Sequence, residues 1–175
     1  MKVIFMRHGQ SKYNVNNLIN VDPNVKVCLT DKGKEQVRKA GKKIIGLDVI
    51  YVSEFLRTQE TAKEINKERN LAVKIDGRLN EFNPGMQFEG KSGYKYENVV
   101  GEDPLNYDEG GETIDDLIKR MKSFLKELKK EKYENVLIIT HEIPIRMTNF
   151  IFGKMSKLDA YDMRYDNCDV EEYEI

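Results

Sequence analysis

The chain has 175 residues, enough for one domain with a substantial core. Its 29 Lys+Arg against 30 Asp+Glu leave a formal charge of −1, so bulk charge directs it neither to nucleic acid nor to an acidic membrane. Hydrophobic residues make up 39 % and charged residues 34 %, a soluble globular profile, and no stretch nears the roughly 20 apolar residues that span a bilayer.

The apolar run at residues 3–6 is too short for a signal-peptide core, and no cleavage pattern follows it. It reads instead as a short buried strand. A polar loop with Asp22 and Pro23 comes next, and Thr30 and Asp31 offer caps to a helix. The apolar face of that helix is expected at Val37, Ala40, Gly41, Ile44 and Ile45. Residues 48–52 read as a second buried strand. Ser53 is expected to cap the helix beyond it, with Leu56, Ala62 and Ile65 inward. Residues 72–75 form a third, shorter strand. Over about 82–111 the periodicity dissolves, Gly and Pro recur, and acids outnumber bases, which predicts a lid or insert. Thr113 opens the clearest helix, with Ile114, Leu117, Ile118, Met121, Leu125 and Leu128 at helical spacing. Residues 135–140 are the strongest strand. Pro144 suits the first turn of another helix, with Ile145 and Phe152 inward. The tail, 169–175, reads as an edge strand. Cys28 and Cys168 lie far apart and form no metal-type pair, so reduced thiols in the cytoplasm are expected.

Strands that alternate with helices and are apolar on both faces predict an α/β three-layer sandwich: a mainly parallel sheet with helices on both faces, in a single domain over 1–175. In such sheets, ligands bind beyond the carboxyl ends of the strands. Arg7 and His8 follow the first strand, Ser53 and Arg57 the second, and Thr140, His141 and Glu142 the strongest one. Both histidines of the chain therefore fall where a ligand site belongs.

Two imidazoles and two guanidiniums suit phosphoryl chemistry. Arginine presents a rigid fork of donors that matches a phosphate. A neutral imidazole is a nucleophile, and neighbouring arginines disfavour its protonation. A second, protonated imidazole can donate to a phosphoryl oxygen. Gly9 is expected to let backbone approach the ligand, and helix N-termini add amide donors. The expected result is a cradle for a phosphoryl group that becomes bonded to histidine.

The chain resembles the histidine phosphatase superfamily, also called the phosphoglycerate mutase-like family. Arg7-His8-Gly9-Gln10-Ser11 is similar to its defining motif, and Asn14 falls where a phosphate-contacting asparagine is common. Leu29-Thr30-Asp31-Lys32-Gly33, the segment from Ser53 through Arg57 to Thr61-Ala62, Gly110-Gly111-Glu112-Thr113 and Thr140-His141 resemble further motifs in the same order. The resemblance implies a phosphoglycerate mutase-like fold and a metal-independent phosphomonoesterase that acts on a small-molecule phosphate ester without a cofactor. By that resemblance His8 forms a phosphohistidine. Arg7, Arg57 and His141 hold the equatorial oxygens, and Asn14 and Ser11 assist.

Glu81, Glu89, Glu112 and Glu142 compete as the proton donor, and Leu79-Asn80-Glu81 resembles the family's placement of that acid. Glu142 departs from the glycine common after the second histidine. Either only its backbone amide serves phosphate, or its side chain points inward and repels phosphate or acts as a second acid. No metal set is expected: His141-Glu142 begins like a zinc-protease helix, but Pro144 intervenes and Arg146 stands near the second histidine position. The acidic lid, with Lys91 and Lys95 as its cations, argues against a densely anionic substrate, while Tyr94, Tyr96 and Tyr107 suit an organic group. A phosphatase is therefore expected over a phosphoglycerate mutase. A phosphohistidine-protein phosphatase and a non-catalytic phospho-ligand binding module are the other readings. Oligomeric state is left open, a homodimer included.

Overall fold

The computed structural model describes residues 1–100, 105–107 and 110–175. Its sheet has five strands: β1 (Lys2–Arg7), β2 (Val49–Val52), β3 (Ala72–Ile75), β4 (Asn135–Thr140) and β5 (Val170–Glu174). Their order is β3-β2-β4-β1-β5, and all pairs are parallel except β1 with β5. Around it lie α1 (Lys12–Val15), α2 (Asp31–Gly41), α3 (Leu56–Asn66), α4 (Gly93–Val100), α5 (Ile114–Leu128), α6 (Glu142–Ile151) and α7 (Lys157–Asp162).

The continuous apolar runs of the central strands follow from this layering. Side chains alternate between the faces of a sheet, so a strand covered on both sides must be apolar at every position. Val3, Phe5, Val136 and Ile138 pack with Leu117, Met121 and Leu125 of α5 and Ile145 of α6. Ile4, Met6, Leu137 and Ile139 pack on the opposite face with Val37 of α2 and Ala62 and Ile65 of α3. Each fully buried aliphatic side chain contributes about 1.5–3 kcal/mol. The helix starts are equally local in origin. Thr30 accepts the Gly33 amide, and Thr113 and Asp116 form a reciprocal capping box at the start of α5.

Several sequence expectations need correction. Helix α2 stops at Gly41, so Ile44 reaches the core from the following turn while Ile45 is 80 % exposed. The N-cap of α3 is Phe55, without a side-chain cap; the Ser53 hydroxyl has another partner. Helix α7, capped by Ser156, is too short to show a period in the sequence. The expected lid contains α4 and a 3₁₀ turn at Met86–Phe88, while its residues 101–104 and 108–109 lie outside the described residues. Gly9 leaves room for α2 rather than for a ligand. A Cβ there would stand 2.6 Å from Val37 Cγ2 and 2.8 Å from the Gly33 carbonyl oxygen.

Strand register sets the site. Arg7 pairs with Thr140 across β1 and β4, and Val52 pairs with Ile139 across β2 and β4. The chain therefore leaves all three strands at one level, at His8, Ser53 and His141.

Candidate active site

His8 and His141 meet edge to face beyond β1 and β4, with ring centroids 5.2 Å apart. Arg57, in the first turn of α3, joins them. Its Nε donates to His8 Nε2 at 3.0 Å, its Nη2 to His141 Nδ1 at 3.0 Å, and its Nη1 to Asn20 Oδ1 at 2.5 Å. A guanidinium only donates, so both receiving imidazole nitrogens carry lone pairs. The ring protons then sit on the other nitrogens. His8 Nδ1 donates to the Gly9 carbonyl at 2.7 Å, and His141 Nε2 donates to Ser53 Oγ at 2.8 Å. Ser53 in turn meets Thr58 Oγ1 at 2.8 Å, and Thr58 donates to the Phe55 carbonyl.

Both imidazoles are neutral in this arrangement. Burial, then the charges of Arg57 and Arg7, hold His8 well below the usual histidine range. Burial and Arg57 do the same to His141. The expectation of a protonated second imidazole is therefore corrected: a ring that accepts from Arg57 has no room for a second proton. Burial also lowers Arg57 to about 10, which leaves it charged near neutrality. Its guanidinium lies 4.3 Å above the Phe55 ring.

The Glu142 side chain points inward. Its Oε2 lies 3.0 Å from Arg7 Nη1, and its Oε1 pairs with Arg146 Nη2. Arg7 Nη1 also donates to the Tyr165 carbonyl, and Arg146 Nη1 to the Tyr161 carbonyl at 2.9 Å. The Glu142 amide, which one of the two open readings gives to phosphate, donates to Glu81 Oε2 at 3.2 Å, and the Ile143 amide to Glu81 Oε1 at 3.3 Å. The positive end of α6 is thus occupied by a carboxylate.

This sorts the four candidate acids. Burial, reinforced by the Glu142 charge, raises Glu81 above its ordinary value against the pull of the Phe82 amide and Arg57. Glu81 and Glu142 line one cavity of about 580 Å³ together with Arg7, His8 and Arg57. Glu89 is turned away and accepts from the amides of Val21 and Asp22 at 2.7 and 2.9 Å and from Asn20. Glu112 holds Arg120 at 2.6 Å, and Arg120 donates to the Glu81 carbonyl at 3.1 Å, steadying the acid from behind.

Asn14 and Ser11 also line the cavity. The Ser11 hydroxyl is committed to capping α1, where it exchanges hydrogen bonds with Asn14. Asn14 Oδ1 receives Ser11 and Asn167, which leaves its NH₂ as the group to offer a ligand. The remaining wall is mixed: Leu18, Ile19, Phe82, Pro84 and Ile143 are apolar, Tyr13, Tyr96 and Tyr161 add rings, and Asn17, Asn20, Arg146 and Arg164 are polar or charged. Of the three lid tyrosines only Tyr96 reaches the cavity; Tyr107 packs on Phe88 and Tyr96, and Tyr94 is exposed. Lys91 and Lys95 do not reach it.

For four polar residues of this network the sequence does not predict the contact they make. Asn20 steers Arg57, and Ser53 holds the His141 proton. Thr61 accepts the Gly9 amide at 3.1 Å, and Asn167 donates to the His8 carbonyl at 3.0 Å. Thr61 sits inside a motif-like segment, which is a usable signal. Asn20 and Asn167 lie in loops without pattern. Among the described residues, no three His, Cys, Asp or Glu side chains gather as a metal site.

A family profile described as Histidine phosphatase superfamily (branch 1) matches residues 3–175. Over 83 % of its length the chain is 30 % identical to phosphoserine phosphatase 1 of Hydrogenobacter thermophilus, covering 73 % of that protein. It is 28 % identical to a 2,3-bisphosphoglycerate-dependent phosphoglycerate mutase of Azorhizobium caulinodans, over 88 % of the chain and 82 % of the mutase. The crystal structure of the alpha-ribazole phosphatase from Shigella flexneri superposes with a TM-score of 0.86 at 24 % identity, covering 100 % of this chain and 91 % of that one, a likeness of fold.

Proposed function

The chain belongs to the histidine phosphatase superfamily, and from that premise we propose that it is a phosphomonoesterase that hydrolyses a small phosphorylated molecule through a phosphohistidine on His8. One observation carries this reading: His8 Nε2 holds its lone pair toward Arg57, with Arg7, Arg57 and Glu81 lining the same cavity and His141 buried behind Arg57. A cavity of about 580 Å³ that sets apolar side chains and tyrosine rings beside polar groups suits a small organic ester.

In the proposed reaction the phosphoryl oxygens take over the Arg57 donors, with Arg7 and the Asn14 amide adding further contacts. This frees His8 Nε2. The Nε2–P bond forms as the ester P–O bond breaks, and protonated Glu81 gives its proton to the leaving oxygen. A water molecule then attacks the phosphohistidine, Glu81 takes the water's proton, and His8 leaves as phosphate forms. The two free thiols, Cys28 and Cys168, support placing this activity in a reducing compartment, the cytoplasm.

The test is phosphate release from a chromogenic aryl phosphate by wild type and His8→Ala. Loss of the nucleophile is expected to lower the rate on the order of 10³-fold or more. Equal rates would refute the assignment. Interconversion of 2- and 3-phosphoglycerate faster than phosphate release would move the chain to the mutase side of its relatives.

A further inference from the structure

Arg7 and Arg146 share one carboxylate. The three side chains are little exposed, at 15 % for Arg7, 20 % for Glu142 and 8 % for Arg146, so solvent screens the bridge poorly. Each arginine also has a backbone anchor of its own, the Tyr165 carbonyl for Arg7 and the Tyr161 carbonyl for Arg146. Neither guanidinium therefore depends on Glu142 alone for its position. The Nε atoms of both arginines are buried without a hydrogen-bond partner among the described residues. Arg7 thus has a donor still open while a negative charge already rests against its Nη1.

We propose that Glu142 is a built-in competitor of the phosphoryl group: its carboxylate neutralises part of Arg7, limits how tightly phosphate is held, and so hastens release of the product, with Arg146 as its alternative partner. The release half of this role rests on the phosphatase reading. The binding half does not.

The groups that face Glu142 support the sign of this effect. Arg7 reaches it from β1 and Arg146 from its own helix, while the Glu81 carboxyl sits on the Glu142 amide. A phosphate on Arg7 places a second anion beside the Glu142 carboxylate. Like charges at such range in a poorly screened cavity oppose one another. A glutamate that merely braced Arg7 would act in the opposite direction, and its loss would weaken phosphate binding.

Calorimetric titration of inorganic phosphate into wild type and Glu142→Gln, at one pH and ionic strength, separates the two. The amide keeps the size of the side chain and removes its charge. The dissociation constant is expected to fall about tenfold, a change equivalent to about 1.4 kcal/mol. KM for an aryl phosphate should fall with it, and kcat should fall as product release slows. Glu142→Ala should show the same sign, which guards against a folding defect particular to one variant. The substitution also removes a charge that raises Glu81, so the basic limb of the pH profile should move to lower pH. An unchanged or larger dissociation constant, or no phosphate binding by any of the three proteins, overturns the proposal. If binding tightens but wild type hydrolyses no ester, the competitor role stands and the phosphatase reading falls. If hydrolysis proceeds and binding does not tighten, the competitor role alone is lost.

Discussion

Arg57 Nε donates to His8 Nε2 at 3.0 Å, a direct link between the histidine beyond the first strand and the helix that follows the second strand. One guanidinium serves His8, His141 and Asn20 at once, which a single ammonium cannot match. Arg57→Lys keeps the charge and loses the fork. It is expected to lower kcat/KM for an aryl phosphate by about 10²–10³-fold. A loss under tenfold would show that charge alone, without geometry, is what Arg57 supplies.

The two buried imidazoles make folding sensitive to acid. Their folded-state pKa values lie well below 6.5, so between the folded value and about 6.5 the unfolded chain binds protons that the folded chain does not. Stability is therefore fully present above about pH 6.5 and falls as pH drops, by up to about 1.4 kcal/mol per pH unit for each histidine. The urea midpoint should be lower at pH 5 than at pH 7, and His8→Ala should flatten that dependence. Equal midpoints at both values would mean that the rings are not held neutral.

Glu81 has the opposite linkage. Burial raises its pKa in the folded state, so its contribution is present at low pH and is lost as pH rises through the unfolded value toward the folded one. Above the folded value the ionised carboxyl is a burden to the fold. Glu81→Gln is expected to raise Tm by about 2–4 °C, the shift that corresponds to about 1 kcal/mol in a chain of this size. The same change should lower kcat for alkyl phosphates by about 10²-fold or more, because the leaving oxygen loses its proton donor. Aryl phosphates, whose leaving groups need less help, should lose less. If Tm and alkyl phosphate turnover both stay at wild-type values, Glu81 is not the acid.

The strands and the long helix α5 were legible because period and composition agreed: Val136 to Ile139 are apolar on both faces, and Ile114 to Leu128 repeat every three or four residues. The residues just beyond the strands were legible too, since parallel sheets bind ligands at their carboxyl ends. Less visible was what holds those residues. Ser53 looks like a helix cap because a serine before a helix commonly is one, and only the register of β2 against β4 brings it to His141. Asn20 and Asn167 belong to loops whose positions depend on contacts far away in the chain. The inward turn of Glu142 was one of two open alternatives, and what decides it is a pair of arginines, one of them 135 residues away in sequence.

The pairing of β1 with β5 has a consequence for how the protein is made. The backbone around His8 is fastened by a segment some 160 residues later in the chain: Arg7 accepts the Cys168 amide, Asp169 accepts the Arg7 amide, and Asn167 holds the His8 carbonyl. His8 leaves the ribosome well before that segment, so its loop stays untied until residues 165–170 have followed. Nascent chains halted before that segment should therefore carry both histidines and lack a finished site, so that competence arrives abruptly, with residues 165–170.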